Sequence, residues 1–113
     1  MNILFKKNQV FMNASGDHTI ISFHSGSNYY INARPRTQTR AFLLKKLNGI
    51  VIESVAFNSP FETTTSTKAI LVGSNDGKIY ETLIDERDRY VKVRLGLLGL
   101  LQTNKKQNKN PTN

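Results

Sequence analysis

Thr67-Lys-Ala-Ile-Leu-Val-Gly-Ser-Asn-Asp-Gly-Lys-Ile-Tyr-Glu-Thr-Leu-Ile-Asp85 decides the fold. Ala69 to Val72 is a short apolar run, Gly73 to Gly77 is a turn cluster ending in Asp-Gly, and Lys78 to Ile84 alternates polar with apolar. Two β-prone runs around a Gly-containing loop of this length predict a β-hairpin. Asp and Gly tolerate the positive φ that such a loop needs. The first strand is apolar on both faces, with Ile70 and Val72 on one and Ala69 and Leu71 on the other. A strand with one solvated face would alternate more cleanly. The hairpin is therefore expected to be covered on both sides, as in stacked sheets.

The flanking sequence extends the same pattern. Gln9 to Asn13, His18 to Phe23 and Asn28 to Asn32 read as strands, separated by turns at Ala14–Asp17 and His24–Ser27. Arg34 to Thr39 holds Pro35 and reads as a loop. Arg40 to Leu47 fits a strand or a short helix by pattern; its neighbours favour a strand, with Asn48-Gly49 turning after it. Val51 to Asn58 is expected to be a strand with Val51, Glu53, Val55 and Phe57 on one face and Ile52, Ser54, Ala56 and Asn58 on the other. Ser59 to Ser66 is a polar loop, and Tyr90 to Leu95 is the last strand. A helix is expected, if anywhere, near Leu95 to Leu101.

A weak repeat runs through these elements. Val10-Phe-Met-Asn13 is echoed by Val55-Ala-Phe-Asn58, 45 residues later, Ile20-Ile21 by Ile70-Leu71, and Gly26 by Gly77. Each unit reads as four strands, the pattern of a β-propeller blade. The expected fold is thus all-β: two four-stranded antiparallel blades, about 8–48 and 50–95, within a propeller-like region 1–95. Residues 96–113 comprise an apolar Gly/Leu segment and an Asn/Lys-rich tail, expected to be disordered. A propeller closes with about 4–8 blades, so two make a piece of one.

Composition narrows the chemistry. The 113 residues allow at most one small domain, and 38% hydrophobic content allows only a modest core. With no Cys there is no disulfide, thiolate metal site or Cys nucleophile. The start, Met-Asn-Ile-Leu-Phe-Lys-Lys, puts its charge after the apolar residues, the reverse of a secretory signal, and no apolar stretch reaches membrane-spanning length. Asn13 in Asn13-Ala-Ser15 is expected to cap a turn rather than carry a glycan. The net charge of +8 permits contact with phosphates or acidic membranes, but the basic residues are scattered along the chain.

Each sharper candidate has a plainer reading beside it. His18 and His24 would share a strand face, yet two His without a third ligand make a poor metal site; His18 is expected to tie the Gly16 turn. Glu53 and Glu81 form a conceivable carboxylate pair, but no nucleophile or phosphate cradle accompanies them, and Gly73-Ser-Asn-Asp-Gly77 lacks the Gly-Lys-Ser/Thr ending of a P-loop. Phe23, Tyr29 and Tyr30 near Arg34 and Arg36 would suit single-stranded nucleic acid, or fill the space between blades. No catalytic, cofactor or metal residue is assigned and no enzyme is expected. A small basic nucleic-acid-binding β-protein stays as the alternative function.

Five blocks in collinear order resemble the Deep orange family. Asn13-Ala-Ser-Gly-Asp-His18 is similar to its Asp-Pro-Ser/Thr-Gly-x-His turn, and Tyr29-Tyr30 to its Tyr strand. Ile52-Glu-Ser-Val-Ala-Phe-Asn58 is similar to its Glu-Ser-Val-x-Trp-Asn segment, Ser66-Thr-x-x-Ile-Leu-Val-Gly73 to Ser-Thr-x-x-Ile-Leu-x-Gly, and Asp76-Gly-Lys-Ile-Tyr-Glu81 to Gly-x-Ile-Phe/Tyr-Glu. Phe57 replaces a Trp and Ala14 a Pro. The resemblance runs from about Val10 to Leu83 and implies part of an N-terminal β-propeller. It also implies a non-catalytic subunit of HOPS/CORVET-like complexes that tether endosomal and vacuolar or lysosomal membranes. Its implied partners are other tethering subunits, its location the cytoplasmic side of those membranes, held peripherally. The family's α-solenoid and zinc-binding RING have no counterpart in this sequence, so no ubiquitin-ligase role carries over. Two blades alone are expected to leave apolar side chains, among them Ile70, Val72 and Leu83, in water and to self-associate.

Overall fold

The computed structural model describes residues 8–33, 41–85 and 90–95. They form two four-stranded antiparallel sheets. The first runs β1 (Gln9–Met12), β2 (His18–Ser22), β3 (Asn28–Asn32) and β4 (Ala41–Leu43), each strand beside the next. The second runs β5 (Ile52–Ala56), β6 (Ser66–Ser74), β7 (Ile79–Asp85) and β8 (Tyr90–Leu95) in the same meander. Two consecutive meanders of four are the two blades expected from the repeat.

The hairpin that decides the fold is β6–β7, with Ile70 opposite Thr82 and Val72 opposite Tyr80. β6 carries on through Gly73 to Ser74, so the turn is tighter than the Gly73–Gly77 cluster suggested. Ser74 N–H donates to the Lys78 carbonyl at 2.9 Å, and Gly77 takes the positive φ of +84°. The Asp76 carboxylate accepts from the Ser74 hydroxyl and from Lys78 N–H. The Ser74 hydrogen bond is the main reason its carboxyl sits below the ordinary value; the Lys78 amide and ammonium act in the same direction.

Two strand readings are corrected. Arg40 to Leu47 is not one strand: β4 has three residues, and Lys45–Leu47 is a 3-10 turn. Its three-residue period points Leu44 and Leu47 the same way, and both are fully buried. In β5 the register shifts between Ile52 and Ser54. This bulge breaks the simple alternation read from the sequence, and Ile52 joins Val55 and Phe57 on the core side while Ser54 and Ala56 stay exposed.

One core lies between the blades. Ile20, Tyr30, Leu44 and Leu47 come from the first unit and Ile52, Ile70, Val72 and Ile84 from the second, with Phe11, Phe42, Val55, Tyr80 and Val93 packed around them. Ile70 and Val72, expected to meet water, are therefore buried, because their face is the one turned toward the first blade. Leu71 on the opposite face is 47% exposed and Ile79 is 46% exposed. The cover expected on both sides of β6 is present on one side only among the described residues. The helix expected near Leu95 to Leu101 falls, beyond Leu95, outside them, as do the tail expected to be disordered and the loop expected at Arg34 to Thr39.

The link between blades is held at both ends. Gly49 N–H donates to the Gly26 carbonyl at 2.9 Å, in the β2–β3 turn. Asn75 N–H, in the β6–β7 turn, donates to the Val51 carbonyl at 2.9 Å. Gly26 has φ +94°, and a Cβ there would lie 2.9 Å from Gly49 Cα, so only glycine allows this approach.

Candidate interaction site

Buried polar side chains stitch the blades together along the first sheet's inner face. Asn28 is fully buried, and its Nδ2 donates to the carbonyls of Ile50 at 2.8 Å, Leu47 at 2.9 Å and Gly26 at 3.2 Å. All three neighbours are acceptors, which fixes the amide orientation. Ser22 Oγ accepts from Ile52 N–H at 2.9 Å. Asn32 Nδ2 donates to the Thr64 carbonyl at 2.8 Å and to the Tyr30 hydroxyl at 3.0 Å.

His18 belongs to this network. Its Nε2 lies 2.7 Å from the Thr63 carbonyl and its Nδ1 2.6 Å from Tyr30 Oη. A carbonyl only accepts, so Nε2 carries the proton, and in the neutral ring Nδ1 accepts from the tyrosine. The side chain thus crosses to the other blade instead of tying the Gly16 turn. Asn13 ties that turn: its Oδ1 accepts from His18 N–H at 2.9 Å, its Nδ2 donates to Ser15 Oγ at 3.0 Å, and its carbonyl accepts from Gly16 N–H at 3.0 Å. Asn13 Nδ2 also reaches Glu62 Oε1 in the second unit.

Among the described residues, the candidates named from the sequence are not brought together. His18 is buried in the network while His24 is exposed in a turn, so the two do not meet. Among the described residues no three His, Asp or Glu side chains group as a metal site would need. Glu53 is exposed on β5; Glu81 pairs across β7–β8 with Arg94 at 2.8 Å. Tyr30 fills the space between blades, stacked with His18 and edge-on to Phe42. Tyr29 is on the opposite face, edge-on to Phe23 at 5.7 Å, and Arg34 and Arg36 lie outside the described residues. The aromatic group therefore splits between two faces.

Among the described residues the sheets present a pair of uncovered faces. The outer face of the first blade carries Val10 and Met12, 61% and 60% exposed, with Ile21, Phe23, Tyr29 and Leu43. A shallow depression of about 440 Å³ lies there, lined by Ile21, Phe23, Ser25, Ser27, Tyr29 and Ala41. The outer face of the second blade carries Ala56, Ala69, Leu71, Ile79 and Leu83 around the Glu81–Arg94 pair. Exposed apolar sheet faces are the mark of contact surfaces, not of solvated ones.

The registers show how the faces correspond. Read across the first sheet, Val10, Ile21, Tyr29 and Leu43 form one row; across the second, Val55, Val72, Tyr80 and Leu95 form another. The next rows are Phe11, Ile20, Tyr30 and Phe42 in the first sheet and Ala56, Leu71, Glu81 and Arg94 in the second. The structural repeat therefore answers Ile20 with Leu71, one residue beyond the echo read from sequence, while Val10 with Val55 stands. Each blade has a forward row and a backward row. The forward row of the first blade meets the backward row of the second; the other two rows face outward.

Known proteins agree with this architecture. The profile of the Pep3/Vps18/deep orange beta-propeller domain matches residues 4–108. The chain belongs to the Pep3/Vps18/deep orange β-propeller family. It is similar to "Vacuolar sorting protein 18" of Arabidopsis thaliana, 31% identical over 90 residues that cover 74% of this chain and 8% of that protein. It is also similar to "Vacuolar protein sorting-associated protein 18 homolog" of Danio rerio, 30% identical over 79 residues, 70% of this chain and 8% of that protein. The chain thus spans under a tenth of either Vps18 relative. No solved structure matches it. Within the Pep3/Vps18 region the five blocks acquire structural reasons: the Asn13–His18 turn sets the inter-blade histidine, Tyr29-Tyr30 serves both faces, and the other three build the β5–β7 core.

Proposed function

We propose that this chain is a non-catalytic interaction module of an endosome-to-vacuole/lysosome membrane-tethering assembly of the HOPS/CORVET kind, acting in vesicle docking and fusion and in vacuolar protein sorting. The observation that carries the reading is the family match over residues 4–108 on a two-blade scaffold whose outer faces are apolar. Its partners in this reading are other tethering subunits. Its place is the cytoplasmic face of late endosomes, vacuoles or lysosomes, held there by protein contacts. Among the described residues no helix is long and apolar enough to cross a membrane, which fits peripheral attachment.

Affinity purification of the tagged chain, with and without a 0.5 M salt wash on the order used to strip electrostatic complexes, tests the proposal. Salt-resistant co-purification of tethering subunits is the expected result. Recovery of RNA or DNA that the salt wash removes, without those subunits, overturns it in favour of a basic nucleic-acid-binding protein.

A further inference from the structure

We propose that Asn48-Gly49, at the start of the link between blades, is a self-modifying site. When the link leaves the first blade, Asn48 is converted through a succinimide to isoaspartate, and the link cannot then re-form. The inference rests on the geometry of the link and not on the sorting role.

The residue types supply the reaction. The electrophile is the Asn48 side-chain amide and the nucleophile is the backbone nitrogen of the next residue. Asn48 is exposed, so water and hydroxide reach it. The next residue is glycine, which has no Cβ to shield its nitrogen. The space beside Gly49 is open as well, with nothing within 4 Å of where a Cβ would lie. The Gly49 nitrogen gives its proton to solvent base and attacks Asn48 Cγ. The N–Cγ bond forms, the Cγ–Nδ2 bond breaks, and Nδ2 leaves as ammonia. Water then opens the five-membered ring. Cleavage at the Asn48 main-chain carbonyl carbon leaves the chain running through Cβ and Cγ, one methylene longer, with a free carboxylate. Water is the only co-reactant, and nothing is oxidised or reduced.

The fold withholds each requirement. Ring closure needs Cβ and the Gly49 nitrogen nearly eclipsed about the Asn48 Cα–C bond. Asn48 sits at φ −64° and ψ 135°, which turns that nitrogen well away from Cβ. The Gly49 N–H is engaged with the Gly26 carbonyl at 2.9 Å. The turn is pinned on both sides: Asn48 N–H donates to the Lys45 carbonyl and Ile50 N–H to the Leu47 carbonyl, each at 3.1 Å. Asn28 Nδ2 holds the carbonyls of Leu47 and Ile50 on either flank. Rotating ψ toward ring closure swings the Gly49 N–H off Gly26, so this hydrogen bond and the reaction exclude each other. The rate at Asn48 therefore follows the fraction of time the link is open. In the product the added methylene displaces Gly49 from Gly26. No other Asn-Gly pair occurs in the sequence.

The chain is aged in mildly alkaline buffer, folded and in unfolding urea, and digested with trypsin. Mass spectrometry follows ammonia loss at Asn48, and electron-transfer fragmentation identifies isoaspartate. Asn58, in the same tryptic peptide Leu47–Lys68, reports opening of the whole chain. Asn48 is expected to react at least about tenfold more slowly in the folded chain, because opening gives up the Gly26 and Asn28 hydrogen bonds. Gly26→Ala is expected to speed Asn48 relative to Asn58 in the folded chain; Asn28→Ala takes its place should that variant fail to unfold cooperatively. After ageing in urea and return to native buffer, the unaltered chain is expected to show a lowered urea midpoint. Asn48→Gln aged in the same way is expected to keep its own midpoint, which accounts for reaction at other sites. Equal Asn48 rates folded and unfolded, a variant that speeds both asparagines alike, or an aged chain that loses no more than Asn48→Gln overturns the proposal. None of these outcomes touches the co-purification test.

Discussion

Replacing Asn28 by alanine removes the amide that binds the first blade's hairpin to the inter-blade link. The Nδ2 group has two hydrogens for three carbonyls, so it makes two full hydrogen bonds, to Ile50 and Leu47, and shares weakly with Gly26. Two such bonds contribute about 1–3 kcal/mol net, and the carbonyls left behind in a buried site raise the loss. Asn28→Ala is therefore expected to cost about 2–4 kcal/mol, a large share of the ~5–15 kcal/mol available to a small domain. Asn28→Asp keeps the shape but turns a carboxylate toward three carbonyl oxygens. It leaves a buried charge without a partner, and its expected cost is the larger, about 3–5 kcal/mol. Asn75→Ala, exposed in the β6–β7 turn, stays within ~0.5 kcal/mol. Urea titrations followed by circular dichroism, at one low protein concentration so that association does not contribute, read all three. An Asn28→Ala midpoint indistinguishable from that of Asn75→Ala, or an aspartate variant as stable as the alanine one, would refute the donor role assigned to this side chain.

Gly26→Ala is expected to cost about 3 kcal/mol, positive-φ strain of ~1–2 kcal/mol plus the collision with Gly49 Cα. Gly77→Ala, at φ +84° with open space around it, should show the strain alone in the same titration. Gly73→Val should cost less than the ~1–3 kcal/mol usual for overpacking, because the Cβ meets only Ser54 Oγ, at 2.5 Å, on an exposed side chain that can rotate; adding Ser54→Ala should recover most of the loss. Ser74→Ala removes the main cause of the lowered Asp76 pKa, so carboxyl NMR should show that group titrating higher than in the unaltered chain. In the unaltered chain the Asp76 contribution to the turn is present above the ordinary carboxylate range. It is lost as pH falls through the lowered value.

The strands were legible because their signals are local. Alternation in Lys78 to Ile84 and the Asp76-Gly77 turn need only neighbouring residues, and β7 follows from them. Arg40 to Leu47 was not legible, since Leu43, Leu44 and Leu47 fit an extended strand as well as a 3-10 turn until the core position of the last two is known. The β5 bulge escaped for a similar reason: a one-residue register shift leaves no mark on composition, yet it moves Ile52 to the core. His18 could be picked out but not placed, because its partner is the Thr63 carbonyl, and backbone acceptors carry no residue signature. The Glu81–Arg94 bridge needed the β7–β8 register to bring its two halves together. The open faces were foreseen in kind but assigned to the wrong side of β6, because apolar residues on both faces do not say which one the neighbouring blade takes.

The link from Gly49 to Val51 is anchored at its two ends to hairpin turns of different blades. It behaves as a rigid spacer, not a hinge. The angle at which one blade departs from the last is then set by the backbone of three residues. That angle is what a ring divides into a full circle. Inserting one residue between Gly49 and Ile52 would leave both sheets able to form, yet change how many of them a closed circle holds. Blade number in this fold is to that extent a property of the connection between blades.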